Sequence, residues 1–173
     1  MIAATTIIDI TVDTGSRTLS WQGGRLPCLI GEHGPVPAAD KREGDRRTPL
    51  GRYTLGTVLF RPDRTAPPAM MSLPWRWLSK ADGWSDAAAD PAYNRPVSHP
   101  HAHSAEHLWR EDALYDIIVT TSHNTPPVPG LGSAIFLHCT AAKSYTAGCI
   151  AVEKAELLAL LPRLVEGCTL TIC

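Results

Sequence analysis

The sequence predicts a β-rich domain with one or two short helices, and three observations carry that prediction. Glycine and proline number 13 and 15 among 173 residues, above the ordinary share, so turns are frequent and long helices are not. Short β-branched, apolar runs recur between those turns. Only one stretch, near the C-terminus, has helical spacing. The length fits a single domain over residues 1–173, large enough to bury a core without a disulfide or metal. Hydrophobic residues at 44 % with a net charge of −1 argue against disorder. A pI of about 6.6 lacks the basic footprint of a nucleic-acid binder.

The elements follow in chain order. Thr6 to Val12 is a β-branched run, Asp13-Thr14-Gly15-Ser16 is a turn, and Arg17 to Gln22 resumes as the second arm of a hairpin. Leu26 to Ile30 and Gly51 to Phe60 are further strands. Between them, residues 31–49 form a long polar loop punctuated by glycine and proline, of the kind that is functional or mobile. Residues 61–110 carry seven prolines and four of the five tryptophans (Trp75, Trp77, Trp84, Trp109). They read as an irregular insertion pinned to the sheet by its indoles, some of which are candidates to line a groove. Leu114 to Thr121 and Ala134 to His138 read as buried strands. Glu153 to Leu161 is a helix with a leucine face and glutamates at its positive end, stopped at Pro162. Cys168 to Cys173 closes the chain as a strand.

No run approaches the ~18 apolar residues of a membrane span. The N-terminus has neither a basic region followed by an apolar stretch nor a small-residue cleavage site. The expectation is a cytoplasmic protein with no membrane association, or a periplasmic one if the start is misassigned. The five cysteines (28, 139, 149, 168 and 173) are odd in number and contain no Cys-x-x-Cys, which suggests neither a disulfide framework nor a zinc site.

The densest chemistry lies in Leu137-His138-Cys139-Thr140, a short loop, then Tyr145-Thr146-Ala147-Gly148-Cys149-Ile150. A strand delivers His138, and Gly148 and Cys149 precede the helix. A nucleophilic cysteine needs a base or cation to lower its pKa, and a helix N-terminus would add to that effect. Gly148 permits a sharp turn that aims backbone N–H groups at an oxyanion. The bland alternative is a buried cysteine beside a strand-capping histidine. His123 and Asn124, at the end of the Ile117 strand, either contact substrate at a cleft or cap the strand. The cluster His99, His101, His103 and His107 is spaced for zinc only if it is extended, which Pro100 disfavours. The run Lys41, Arg42, Arg46, Arg47 is broken by Glu43 and Asp45. It reads as a charged loop, or as a set of carboxylate contacts.

Ile135-Phe-Leu-His138, then Thr146-Ala-Gly-Cys149-Ile150 and a Leu-rich helix, resembles the signature of the L,D-transpeptidase (YkuD-like) catalytic domain. Thr48-Pro49-Leu50-Gly51-Arg52-Tyr53 is similar to that family's Thr-Pro-x-Gly-x-Phe/Tyr stretch. Lys41-Arg-Glu-Gly-Asp45 is similar to short members. The resemblance covers about residues 28–161 and implies a mixed β-sandwich or barrel-like fold. It departs from the pattern at Ala147 (usually His), Ala151 (often Arg or Asn) and Cys139 (commonly Gly or Ser), and its loop from His138 to Cys149 is shorter.

The resemblance implies a cysteine acyl-enzyme without cofactor or metal, acting on peptidoglycan tetrapeptide stems or muropeptides. Cys149 would attack the carbonyl joining the L-centre of diaminopimelate to D-alanine. His138 would move the protons, with its other nitrogen oriented by the Cys139 carbonyl, and the Gly148 and Cys149 N–H groups would hold the oxyanion. Tyr145 and Thr146 beside the cysteine would contact substrate, and His123 and Asn124 would join them if their strand end opens onto the cleft rather than being capped. A signal-less chain favours hydrolysis, as an L,D-carboxypeptidase in muropeptide recycling. Cross-linking transfer, a non-catalytic muropeptide-binding module and a histidine-metal hydrolase are the alternatives. The chain is expected to be a monomer. A Cys139–Cys149 disulfide would silence it.

Overall fold

The computed structural model describes residues 6–173; residues 1–5, part of the segment read for a leader, lie outside the described residues. The first hairpin forms as its alternation predicts. Strand β1 (Ile7–Asp13) turns into β2 (Thr18–Trp21), and Thr11 pairs with Ser20. The Asp13 carboxylate caps the turn by accepting from the Ser16 N–H. Strand β3 (Gly24–Pro27) extends the meander. The long polar loop is more ordered than its composition suggests. It contains β4 (Pro35–Pro37) and a 3₁₀ turn (Ala38–Asp40), and its Thr48-Pro49 end is already the start of β5 (Thr48–Phe60).

The insertion departs furthest from expectation. It holds β6 (Trp75–Trp77), β7 (Asp82–Ser85), β8 (Pro96–Ser98) and β9 (Ala105–His107). The last three form a separate antiparallel sheet in the order β8-β7-β9. Strands of three or four residues flanked by prolines carry too little alternation to be read. Beyond the insertion come β10 (Ile117–Thr121), β11 (Leu137–Cys139), β12 (Ile150–Val152), helix α1 (Lys154–Leu160) and β13 (Leu164–Ile172). Pro162 does not end the helical path at once, because it sits in a 3₁₀ turn (Leu161–Arg163) that needs no amide there.

The main sheet runs β12-β11-β10-β5-β13-β1-β2-β3, with β4 and β6 also paired to β5. Just past β3, Leu29 exchanges two backbone hydrogen bonds with Ala151 of β12, at 2.8 and 3.0 Å. The two ends of the sheet are thereby brought together in a nearly closed barrel, mostly β, with one short α-helix.

Alternation across the strands separates two apolar clusters. Val58, Phe60, Ile117, Val119, Leu137, Cys139, Ile150 and Val152 face the larger core, which Leu157 and Leu160 of α1 also enter. Leu59, Ile118, Phe136 and Cys149 face the other way, into a smaller cluster completed by Leu78, Leu108 and Tyr115 of the segment between β5 and β10. The insertion therefore roofs the sheet face that carries the cysteine.

Candidate active site

The register of two strands brings the predicted pair together. Strands β11 and β12 are parallel, with Leu137 opposite Ile150 and His138 opposite Ala151. One residue earlier, Phe136 stands opposite Cys149, joined by Ile150 N–H to Phe136 C=O at 2.9 Å. His138 and Cys149 thus share one face, two positions apart across the pair. Cys139 points to the reverse face, where its thiol lies near the Ile117 carbonyl. A silencing Cys139–Cys149 disulfide does not fit this arrangement, since the two sulfurs lie on opposite sides of the sheet.

The histidine is held in one tautomer. Nδ1 lies 2.8 Å from the Cys139 carbonyl. A carbonyl can only accept, so Nδ1 carries the proton and Nε2 keeps its lone pair. Burial, opposed by the backbone carbonyls beside the ring, lowers the His138 pKa to about 4. The imidazole is therefore neutral at neutral pH. Tyr115 stands edge-on to this ring, with centroids 5.2 Å apart, and donates its hydroxyl to Glu106 at 2.8 Å. Burial raises the pKa of both Tyr115 and Glu106.

The thiol environment corrects a second expectation. Strand β12 intervenes between Cys149 and α1, so the helix N-terminus at Lys154 is not at the sulfur. Burial instead pushes the Cys149 thiol up to about 12, opposed by the Phe136 N–H. The S–H donates to the Ala134 carbonyl at 3.0 Å, and the sulfur accepts from Phe136 N–H at 3.3 Å. The resting pair is a neutral thiol and a neutral imidazole.

The Thr48-Pro49 stretch has a mechanical part. Thr48 Oγ1 accepts from Gly31 N–H and donates to the Gly148 carbonyl, both at 2.8 Å. Gly148 has φ +140°, and a Cβ there would sit 2.8 Å from the Arg47 carbonyl. Only glycine fits this approach. Thr146 is buried and works within the loop: its hydroxyl donates to the Cys149 carbonyl at 2.7 Å and accepts from Gly148 N–H at 3.0 Å. An oxyanion would compete with Thr146 for the Gly148 amide.

A cavity of about 390 Å³ opens here, lined by Cys149, His138 and Tyr145 together with Glu106, Arg110 and Lys41. Tyr145 packs its ring under the Arg46 guanidinium, 5.4 Å away. His123 and Asn124 do not line it. His123 is buried against Tyr53, with Nδ1 lacking a partner among the described residues, and burial lowers its pKa to about 4. Asn124 staples its own loop through Val128 and Gly132. No tryptophan lines the cavity either. Trp75 and Trp77 pair with Val58 and Phe60 and so belong to the reverse face. Trp84 and Trp109 pin the insertion, Trp84 edge-on to Phe136 and Trp109 beneath Arg61.

The basic run is occupied within its own loop: Lys41 bonds Asp45 and Arg46 bonds Glu32 at 2.6 Å. His99 and His107 stack 3.5 Å apart, while His101 bonds Asp90. Among the described residues no group of three or more His, Cys, Asp or Glu is arranged to hold a metal ion. Sequence reasoning missed Tyr115, Glu106 and Asn94, all of which bear on the site. Their only signal was position, in or beside the insertion, without a motif.

A parallel strand pair presenting a cysteine and a tautomer-fixed histidine to one cleft defines a cysteine–histidine site on a β-barrel. The chain belongs to the L,D-transpeptidase catalytic-domain (YkuD) family, whose model matches residues 7–172. The chain is similar in fold to Bd1075 of Bdellovibrio bacteriovorus, at 17 % identity and a TM-score of 0.52, covering 100 % of this chain and 49 % of that one. An L,D-transpeptidase from Mycobacterium smegmatis matches at 14 % identity and a TM-score of 0.41, covering 98 % and 59 %. LdtMt1, solved in complex with imipenem, matches at 13 % and 0.43, covering 96 % and 59 %. The chain thus spans about half to three-fifths of these structures. No curated protein matches it. Among the described residues no helix is long and apolar enough to cross a membrane.

Proposed function

We propose that the chain is a cysteine acyl-enzyme acting on the bond between the L-centre of diaminopimelate and D-alanine in peptidoglycan tetrapeptide stems, with water as the main acceptor. The observation that carries this reading is the shared face: the Cys149 sulfur and the His138 ring open onto one cavity, with Nδ1 held by the Cys139 carbonyl.

Each step uses groups already described. As the substrate carbonyl approaches, the Cys149 proton passes to His138 Nε2 and the sulfur lone pair forms the C–S bond. The oxyanion is held by the Cys149 N–H, with the Gly148 N–H joining as Thr146 releases it. The C–N bond then breaks, and His138 returns its proton to the departing D-alanine amine. Water, deprotonated by His138, attacks the thioester and restores the thiol. A neutral resting pair suits this order, because charge separation develops only when a substrate is present to stabilise it. The insertion covers part of the cavity, with Asp86, Glu106 and Arg110 in its lining, and hydrolysis in the trimming of muropeptides is the reading taken for the acceptor step. Family membership favours the second reading, transfer to the amine of another stem.

The test is incubation with a free or disaccharide-linked tetrapeptide ending in diaminopimelyl-D-alanine, followed by mass spectrometry. Wild type should release D-alanine and Cys149→Ala should not. Cross-linked dimers on adding a second stem would favour transfer. Binding without turnover, consistent with Ala147 and Ala151, would reduce the chain to a muropeptide-binding module.

A further inference from the structure

One side chain of the insertion hydrogen-bonds the backbone segment that holds the nucleophile. Asn94, between β7 and β8, is 8 % exposed. Its Oδ1 accepts from Ala134 N–H at 3.1 Å and from Trp84 Nε1–H at 2.9 Å. Its Nδ2 donates to the His123 and Asn124 carbonyls at 3.0 and 3.1 Å. Two N–H groups meet one end and two carbonyls the other, so the amide orientation is fixed by chemistry. Ala134 has φ +52°, a left-handed conformation that a residue bearing a Cβ adopts only when its surroundings impose it. Asn94 supplies that constraint at the Ala134 amide. The next group along the chain, the Ala134 carbonyl, takes the Cys149 S–H.

We propose that Asn94 is a positioning residue for the nucleophile. By holding the Ala134 amide it aims the Ala134 carbonyl at Cys149 and keeps the thiol proton there, off His138, until a substrate enters. The segment then acts differently on the two forms of the sulfur. The Ala134 carbonyl binds the thiol through its proton and repels the thiolate, whereas the Phe136 N–H binds the anion. When the proton moves from Sγ to His138 Nε2, the first contact is lost and the second strengthens. The free enzyme is thereby protected from stray electrophiles, and the insertion takes part in the chemistry it covers. This rests on the reading of Cys149 as nucleophile but not on the identity of the substrate.

The test reads the thiol directly, on the whole chain. Iodoacetamide alkylation of Cys149 is followed by peptide mass spectrometry against pH for wild type and Asn94→Ala. The titratable and charged groups lining the thiol's cavity are His138 on β11, Arg110 and Tyr115 before β10, Glu106 on β9, Asp86 after β7, Lys41, Glu43 and Arg46 of the 31–49 loop, and Lys143 and Tyr145 of the loop before Cys149; the substitution removes none of them. Loss of one hydrogen bond to the protonated form should speed alkylation at neutral pH about fivefold and move the midpoint to lower pH. A merely structural Asn94 would lower the melting temperature with the midpoint unmoved, and that result overturns the proposal. Should Asn94→Ala fail to fold, infrared difference spectra of wild type against Cys149→Ser decide instead. An S–H stretch at the lower frequency of a carbonyl-bonded thiol is expected, and a free-thiol frequency overturns the proposal.

Discussion

The barrel and the insertion bury their surfaces by different means. In the barrel, strand alternation alone assigns each side chain, and the core is almost wholly aliphatic. In the insertion, short strands are held by polar and aromatic pins: Ser85 to Asp90 to His101, Trp84 to Asn94, Tyr115 to Glu106, and Arg61 to Asp63 and Arg110. The barrel fixes where the sulfur and imidazole stand; the insertion sets what surrounds them. The difference teaches that packing gives the site its geometry and that side-chain hydrogen bonds give it its chemistry.

The sharpest way to break this division is at the seam. Phe136 is 1 % exposed and meets Trp84 and Tyr115 edge-on, at 5.0 and 6.2 Å. Phe136→Ala should cost about 3–5 kcal/mol in urea unfolding, because nothing can collapse into the space between sheet and roof. Acid comes next. His123 and His138 have pKa values lowered by burial to about 4, so between about pH 6.5 and pH 4 the unfolded chain binds protons that the native chain refuses. Stability should rise with pH across that window and fall as pH drops through it, by on the order of 3 kcal/mol for each histidine. His123→Leu should flatten the acid limb of a melting-temperature profile while leaving the other histidine's share.

Arg61 tests the insertion alone. It is 3 % exposed, bonds Asp63 and the Arg110 carbonyl, and stacks 3.8 Å from the Trp109 ring. Its carboxylate partners are solvent-exposed, so Arg61→Met strands no buried charge. A loss of about 2 kcal/mol is expected, with faster amide exchange confined to residues 61–116. The smallest effect belongs to Trp77, about half exposed on the face opposite the cysteine. Trp77→Ala should cost about 1 kcal/mol or less, with thiol alkylation unchanged. A change in alkylation would mean that the two faces communicate.

Legibility in the sequence follows the same division. The first hairpin, β5 and the closing strand were readable from β-branched and apolar runs bounded by turns, and β10 from its continuous Ile-Ile-Val run. The Cys149–His138 pair was readable because its motif is local. The insertion strands were not, since each is too short to alternate and is fixed by partners far away in sequence. Strand β12 was hidden inside Cys-Ile-Ala-Val, which reads equally well as the approach to a helix, and so the helix N-terminus was expected at the sulfur. His123 and Asn124 were expected at the cleft because strand ends often are; here the 123–134 loop folds back and buries the ring instead. Asn94 had no sequence signal at all, as its four partners come together only in the folded chain.

The central claim is that Cys149, on the cleft face, carries the acyl group. Quenching wild type and Cys139→Ser within one turnover of a tetrapeptide, then mapping peptides by mass spectrometry, tests it most directly. A tripeptide thioester on Cys149 in both proteins is the predicted result. D-alanine release with the label on Cys139, or with no covalent label in either protein, would contradict it.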